Sequence, residues 1–268
     1  MTQTPAAIKL RALFIPHNFA KSQKVLSFAY QLLLRAMFIL NYTHDWTTMS
    51  KRKILGKAIG WFLGMIVVSA AIIAGVVMVY KIQGIDPQQF TQFGGDFKTH
   101  LGRPLLQTVL LMLIIAPVVE EIIFRLGLSF KRQTVALWAG LLPVAIAAYL
   151  FKCYDNWPLL AGMIVLGFIL YWLIVNYTSD KQWDGWRSRY LRLAMWVSAI
   201  AFGLIHLKAF SVLTWGLLPY CLAMVLRPGL VGCVITYARV NLGFWWGVLF
   251  HIINNVPGVL MLIAMSNQ

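Results

Sequence analysis

The stretch LGKAIGWFLGMIVVSAAIIAGVVMVY, Leu55 to Tyr80, carries one charged side chain, Lys57, near its start. About 20 such residues, coiled as a helix rising ~1.5 Å each, cross the ~30 Å hydrocarbon core of a bilayer. The segment reads as a transmembrane helix, and the rest of the chain is of the same kind. Of 268 residues, 60% are hydrophobic and 12% charged, and the mean hydropathy is +0.74. Soluble domains do not reach that composition.

Further apolar stretches follow at Leu105 to Phe130, Thr134 to Phe151, Pro158 to Tyr177, Arg192 to Leu207, Trp215 to Val240 and Phe244 to Ala264. Val25 to Tyr42 is apolar too, but Arg35 interrupts it, so it reads as either an eighth span or a helix lying in the interface. The expected fold is all-α, a polytopic membrane helical bundle of seven or eight transmembrane helices. Residues 1–54 read as a cytoplasmic or interfacial region with the extra helix at 25–42, and 55–104 as the first clear span and an extracytoplasmic loop. Residues 105–268 form the membrane core, with an apparent helical insertion at 134–177. The first 50 residues lack the pattern of a removed signal peptide and are expected to stay attached.

The net charge of +15 follows the rule that Lys and Arg collect on the cytoplasmic side of membrane proteins. With the start of the Leu55 span inside, that side holds Lys51, Arg52, Lys53, Lys57, Lys131, Arg132, Lys181, Arg187, Arg189, Arg192 and Arg239. The other side holds only Lys81, Lys98, Arg103, Lys152 and Lys208. Nucleic acid is not an expected partner, because no basic loop is interleaved with aromatic residues. Cys153, Cys221 and Cys233 are far apart in the chain and suggest neither a disulfide framework nor a thiolate metal site.

Against this background PVVEEIIFR, Pro117 to Arg125, is anomalous, because it holds the only two glutamates of the chain. A charge near the bilayer centre costs about 2.5 to 3.5 kcal/mol on insertion scales, so these groups should face one another or a wet cavity. Residues four apart share a helix face, which pairs Glu121 with Arg125 and turns Glu120 about 100° away. Glu120 is then the carboxylate with no partner on its own helix and the candidate general base. Two further polar motifs interrupt later spans: FGLIH, Phe202 to His206, and HIINN, His251 to Asn255. Asn254 and Asn255, at i+3 and i+4, both lie near the His251 face. An acid, an imidazole, and an imidazole with an amide form a hydrolase set. Glu120 and His206 would activate a water, and His251 and Asn255 would donate to an oxyanion. The same side-chain types ligate zinc, which would then fall to Glu120, His206 and His251. No H-E-x-x-H and no histidine pair at i, i+4 supports a dedicated zinc site, so no cofactor is required.

Arg227-Pro228 poses a topological choice. If Trp215 to Val240 were split there, His251 and Glu120 would lie in opposite halves of the bilayer. As one span, with Arg227 facing the protein interior, it brings the three motifs to similar depths, and the site opens toward the cytoplasm.

EEIIFR, FGLIH and HIINN, in that order on apolar helices, resemble the E-E-x-x-x-R, F-x-x-x-H and H-x-x-x-N pattern of the CAAX-prenyl-protease and bacteriocin-processing (Abi) intramembrane proteases. The resemblance covers about Leu105 to Val259. It implies an intramembrane endopeptidase that is a multi-pass protein of the cell membrane, the bacterial inner membrane, with a conical cytoplasm-facing cavity. By that resemblance Glu120, His206, His251 and Asn255 are catalytic, and Glu121, Arg125 and Phe202 support them, with Asn254 beside. Expected partners are the lipid bilayer and a membrane-associated peptide or protein substrate; the sequence does not fix the oligomeric state. The Thr134 to Tyr177 insertion departs from the family pattern. Rival expectations are a catalytically silent scaffold or bacteriocin-immunity factor, and a proton-coupled transporter, whose repeated halves the chain lacks.

Overall fold

The computed structural model describes residues 49–86, 104–149, 156–210 and 215–266. The candidate helix at 25–42 and most of the loop after Tyr80 lie outside them. The described residues form an all-α bundle of seven helices, counting the α2–α3 rod as one: α1 (Lys51–Ile82), α2 (Leu105–Leu110), α3 (Ala116–Arg125), α4 (Arg132–Tyr149), α5 (Trp157–Tyr177), α6 (Asp180–Leu204), α7 (Leu218–Leu242) and α8 (Phe244–Ser266). Five of them, α1, α5, α6, α7 and α8, are long and apolar enough to cross a membrane, and the chain is a polytopic membrane protein.

Helix α7 is the axis of the bundle. Every residue from Leu230 to Arg239 is buried, as only a helix surrounded by others can be. One face of α1, Ile54, Ala58, Phe62, Met65, Ser69, Ile72, Val76 and Tyr80, lies against it at steps of three and four residues. Lipid tails are as apolar as these side chains, so close fit rather than escape from water holds such helices together. Pro228 stands inside α7 without ending it, which settles the Arg227 choice in favour of one continuous helix. Arg227 itself is half-buried.

Helices α4 and α5 form a hairpin, packed chiefly on each other, with Gly140 and Gly167 at the crossing. The hairpin is peripheral, since only Gly167 of α5 is buried. Trp138 Nε1 donates to Ile123 O at 2.9 Å and ties α4 to the glutamate-bearing helix.

Two boundaries differ from expectation. Helix α6 begins at Asp180, not Arg192, because Ser179 and Gln182 form a reciprocal capping box. Its first three turns are too polar to register as a span. The stretch Leu105 to Phe130 is not one uniform helix either. A π turn, Leu111–Ile115, joins α2 to α3, and a 3₁₀ turn, Leu126–Ser129, follows Arg125. The π turn has a local cause in Pro117, whose ring would clash with the Leu113 carbonyl in a regular helix.

Candidate active site

Helix α3 presents Glu120, Glu121 and Arg125 to the bundle interior, and all three are buried. The Glu121–Arg125 pair expected from the four-residue spacing is made: Arg125 Nη1 donates to Glu121 Oε1, and both side chains are fully buried. Arg125 also donates from Nε to Thr236 Oγ1 at 2.9 Å and from Nη2 to the Gly232 carbonyl at 3.4 Å, both on α7. Gly232 permits this approach, for a Cβ there would lie 2.9 Å from Phe202 Cδ1 and 3.1 Å from Arg125 Nη2.

His251 on α8 sits between the two glutamates. Its Nδ1 is 3.0 Å from Glu121 Oε1, and its Nε2 is 3.4 Å from Glu120 Oε2. Glu120 thus has a partner across the bundle. An ionised carboxylate only accepts, so Glu121, matched with Arg125, places a proton on Nδ1. Nε2 then faces Glu120, where one shared proton makes a favourable contact.

Helix α6 ends just before His206, which stands in a 3₁₀ turn, Ile205–Ala209. Its Nδ1 is 2.8 Å from the Phe202 carbonyl, an acceptor, so Nδ1 carries the proton and Nε2 of the neutral ring keeps a lone pair. His206 lies within electrostatic range of Glu120 and His251. Phe202 is the spacer: its ring meets His206 edge to face at 5.2 Å and His251 at 5.3 Å. The Arg125 guanidinium lies 4.3 Å from the same ring, in cation–π range.

The amides are engaged differently from expectation. Asn255 Nδ2 donates to the Met112 carbonyl at 3.0 Å, and Asn254 Nδ2 is 3.3 Å from Asn255 Oδ1. The π turn explains the first bond. Within it the Ala116 N–H bonds to Leu111 O, so the next bond of that pattern would join Met112 O to residue 117, which is proline and has no N–H. Asn255 supplies the missing donor. One of its two N–H groups remains for other use.

Sequence reasoning passed over Thr236, the Met112 carbonyl and Arg239. Thr236 and Arg239 are three apart on α7 and both buried, a spacing that shares a face. Among the described residues no three His, Cys, Asp or Glu side chains converge on a metal position, Glu120, His206 and His251 included. No step below is routed through a metal ion.

Compared with known proteins, the chain matches no family model, no curated protein sequence and no solved structure.

Proposed function

We propose that the protein is an intramembrane endopeptidase of the CAAX-protease and bacteriocin-processing type, hydrolysing a peptide bond in a membrane-associated peptide or protein. The observation that carries this reading is the line Glu121–His251–Glu120, in which one imidazole contacts both buried carboxylates. A carboxylate that orients a histidine through Nδ1, leaving Nε2 to work, is a recurring catalytic arrangement. Glu120 takes a proton from water, and the bare Nε2 of His206 accepts a hydrogen bond from that water. The hydroxide oxygen bonds to the scissile carbonyl carbon. His251 Nε2–H and the remaining Asn255 N–H donate to the oxyanion. As the C–N bond breaks, the proton held by Glu120 passes to the leaving amine, so the reaction consumes one water and returns the enzyme unchanged.

The cell membrane is the proposed location, with the site opening toward the cytoplasm. Ile54, Leu191 and Ala238 share one core cluster, which brings the basic starts of α1 and α6 to the same end of the bundle as the end of α7. A charged face of that kind is favoured on the cytoplasmic side.

The test is hydrolysis of a quenched fluorescent membrane peptide by protein in liposomes. Glu120→Gln, nearly isosteric, should lower the rate by about 10²-fold or more, the usual contribution of a general base. Wild-type rates in that variant would sink the assignment. Chelator sensitivity reversed by zinc would instead move Glu120, His206 and His251 to a metal-binding role. One observation favours a catalytically silent scaffold or immunity factor: Asn255 already has a packing task at Met112 O. A scaffold keeps its cellular phenotype with Glu120→Gln, whereas an enzyme loses it and accumulates uncleaved peptides detectable by mass spectrometry.

A further inference from the structure

An open groove runs between α6 and α7 on the outer side of the bundle, with Trp196 at one end and Leu204 at the other, and it encloses about 160 Å³. Its accessible walls are apolar throughout. Gly203 and Gly229 form part of its floor, where the two helices touch: a Cβ on Gly203 would stand 3.1 Å from Gly229 Cα. Ile200 and Leu204 make an exposed rim, so the groove opens toward the hydrocarbon around the helices.

The face of α6 that lines the groove continues toward the start of the helix into two cations. Trp196, Arg192 and Arg189 follow one another at steps of four and three, so both guanidinium groups stand above the groove on its own face. Helical side chains lean toward the N-terminus, which carries these two further from the apolar part. Both are exposed. Arg189 lies 5.3 Å from the Tyr190 ring, and among the described residues Arg192 makes no ion pair or hydrogen bond. Of the acids in the same turns, Asp180 pairs with Arg132 at 3.6 Å, and Asp184 is off this face.

Two observations set the depth of these cations. Leu191 belongs to the core cluster of Ile54, the residue at which α1 passes from the exposed Lys51, Arg52 and Lys53 into its apolar run. The exposed line of α6 that begins with Leu204, Ile200, Val197 and Leu193 continues at the next steps with Tyr190 and Trp186, the residue types of a membrane–water interface. Arg189 and Arg192 therefore stand at headgroup level, with an apolar channel leading down from them. A ligand that fits both parts has a negative head and a hydrocarbon chain. We propose that this is a binding site for an anionic phospholipid, with one acyl chain in the α6–α7 groove and the phosphate held by Arg189 and Arg192. Arginine suits that task because its planar fork matches phosphate oxygens. Such a site is independent of the hydrolase reading.

Trp196 is a reporter built into the groove. Full-length protein in phosphatidylcholine liposomes receives a minor fraction of either phosphatidylglycerol or phosphatidylcholine with brominated acyl chains, bromine being a contact quencher of tryptophan. The quenching owed to Trp196 is the difference between wild type and Trp196→Phe. In wild type, brominated phosphatidylglycerol should be preferred about tenfold or more, and Arg189→Gln and Arg192→Gln should each lower that preference about fivefold, the effect of one cation beside an anionic surface. Gly229→Leu fills the groove, because a Cβ there meets only Gly203 Cα within 4 Å, at 3.9 Å. It should abolish the preference with both arginines in place. If that variant does not fold, Ile200→Phe narrows the groove from its exposed rim and carries the same expectation. Equal quenching of wild type by the two lipids overturns the site, since the groove then holds bulk lipid without selection. A preference that survives the double arginine variant, or the filled groove, is equally fatal. A Trp196 quenched by neither lipid would put a second copy of the chain over the groove, and that result also overturns the assignment.

Discussion

The double duty of Asn255 can be split by a pair of substitutions. Asn255→Ala removes the side-chain donor that Met112 O has among the described residues and orphans a carbonyl in a segment where no bulk water replaces it. The cost of a buried acceptor left unmade is about 1–3 kcal/mol. The carbonyl needs Asn255 only because residue 117 is proline, so Pro117→Ala gives the chain its own N–H at that position. That bond can form to Met112 O in the π pattern, or to Leu113 O if the turn relaxes to a regular helix, in which case Ala116 N–H satisfies Met112 O. Either way Pro117→Ala should return most of the lost stability to Asn255→Ala, while doing little for a protein whose Asn255 is intact. The assay is reversible unfolding in mixed micelles for wild type, both single variants and the double variant, with peptide hydrolysis measured in parallel. If Asn255 also serves the oxyanion, the double variant is stable and still slow, by about 10²-fold or more. A double variant no more stable than Asn255→Ala would refute the account of the π turn. One that regains both stability and activity would leave Asn255 a purely structural residue.

Glu121 and Arg125 should be strongly coupled. At a charge separation of about 4 Å and an effective dielectric constant near 20 their attraction is about 4 kcal/mol. Glu121→Gln and Arg125→Met should each cost about 3–5 kcal/mol, with the double variant costing far less than their sum; additive losses in the same unfolding assay would show that the pair is not a unit. Gly232→Ala should destabilise by about 1–3 kcal/mol, because its methyl group drives against the Phe202 ring and Arg125 Nη2. Its hydrolysis rate should fall as well, since Phe202 spaces the two histidines, and a variant of wild-type rate would show that this spacing is not needed.

The sequence was most informative where one physical rule acts alone. Length and apolarity give the helices, and the four-residue spacing gives Glu121 with Arg125. The persistence of α7 through Pro228 followed from asking which topology brings the polar motifs to one depth. What spacing did not reveal depends on contacts across the bundle. The π turn arises from Pro117 within its own helix, but the residue that satisfies it is 143 positions away. The start of α6 escaped because its capping box precedes a polar, aromatic stretch with no membrane signature.

Arg239 shows how a correct rule can hide a role. Positive-inside counting needs only the sign and side of a residue, and Arg239 satisfies it at the end of α7. That count treats each cation as solvated and interchangeable. A guanidinium 8% exposed, donating to the Leu126 carbonyl and lying against the Phe244 ring, is neither. The same residue serves orientation through its charge and packing through its depth. Moving the positive charge outward, with Arg239→Gln combined with an added lysine on the exposed start of α6, should therefore preserve topology while costing about 1–3 kcal/mol in reversible unfolding, because the Leu126 carbonyl loses its charged donor; wild-type stability in that variant would show that the depth of Arg239 is incidental.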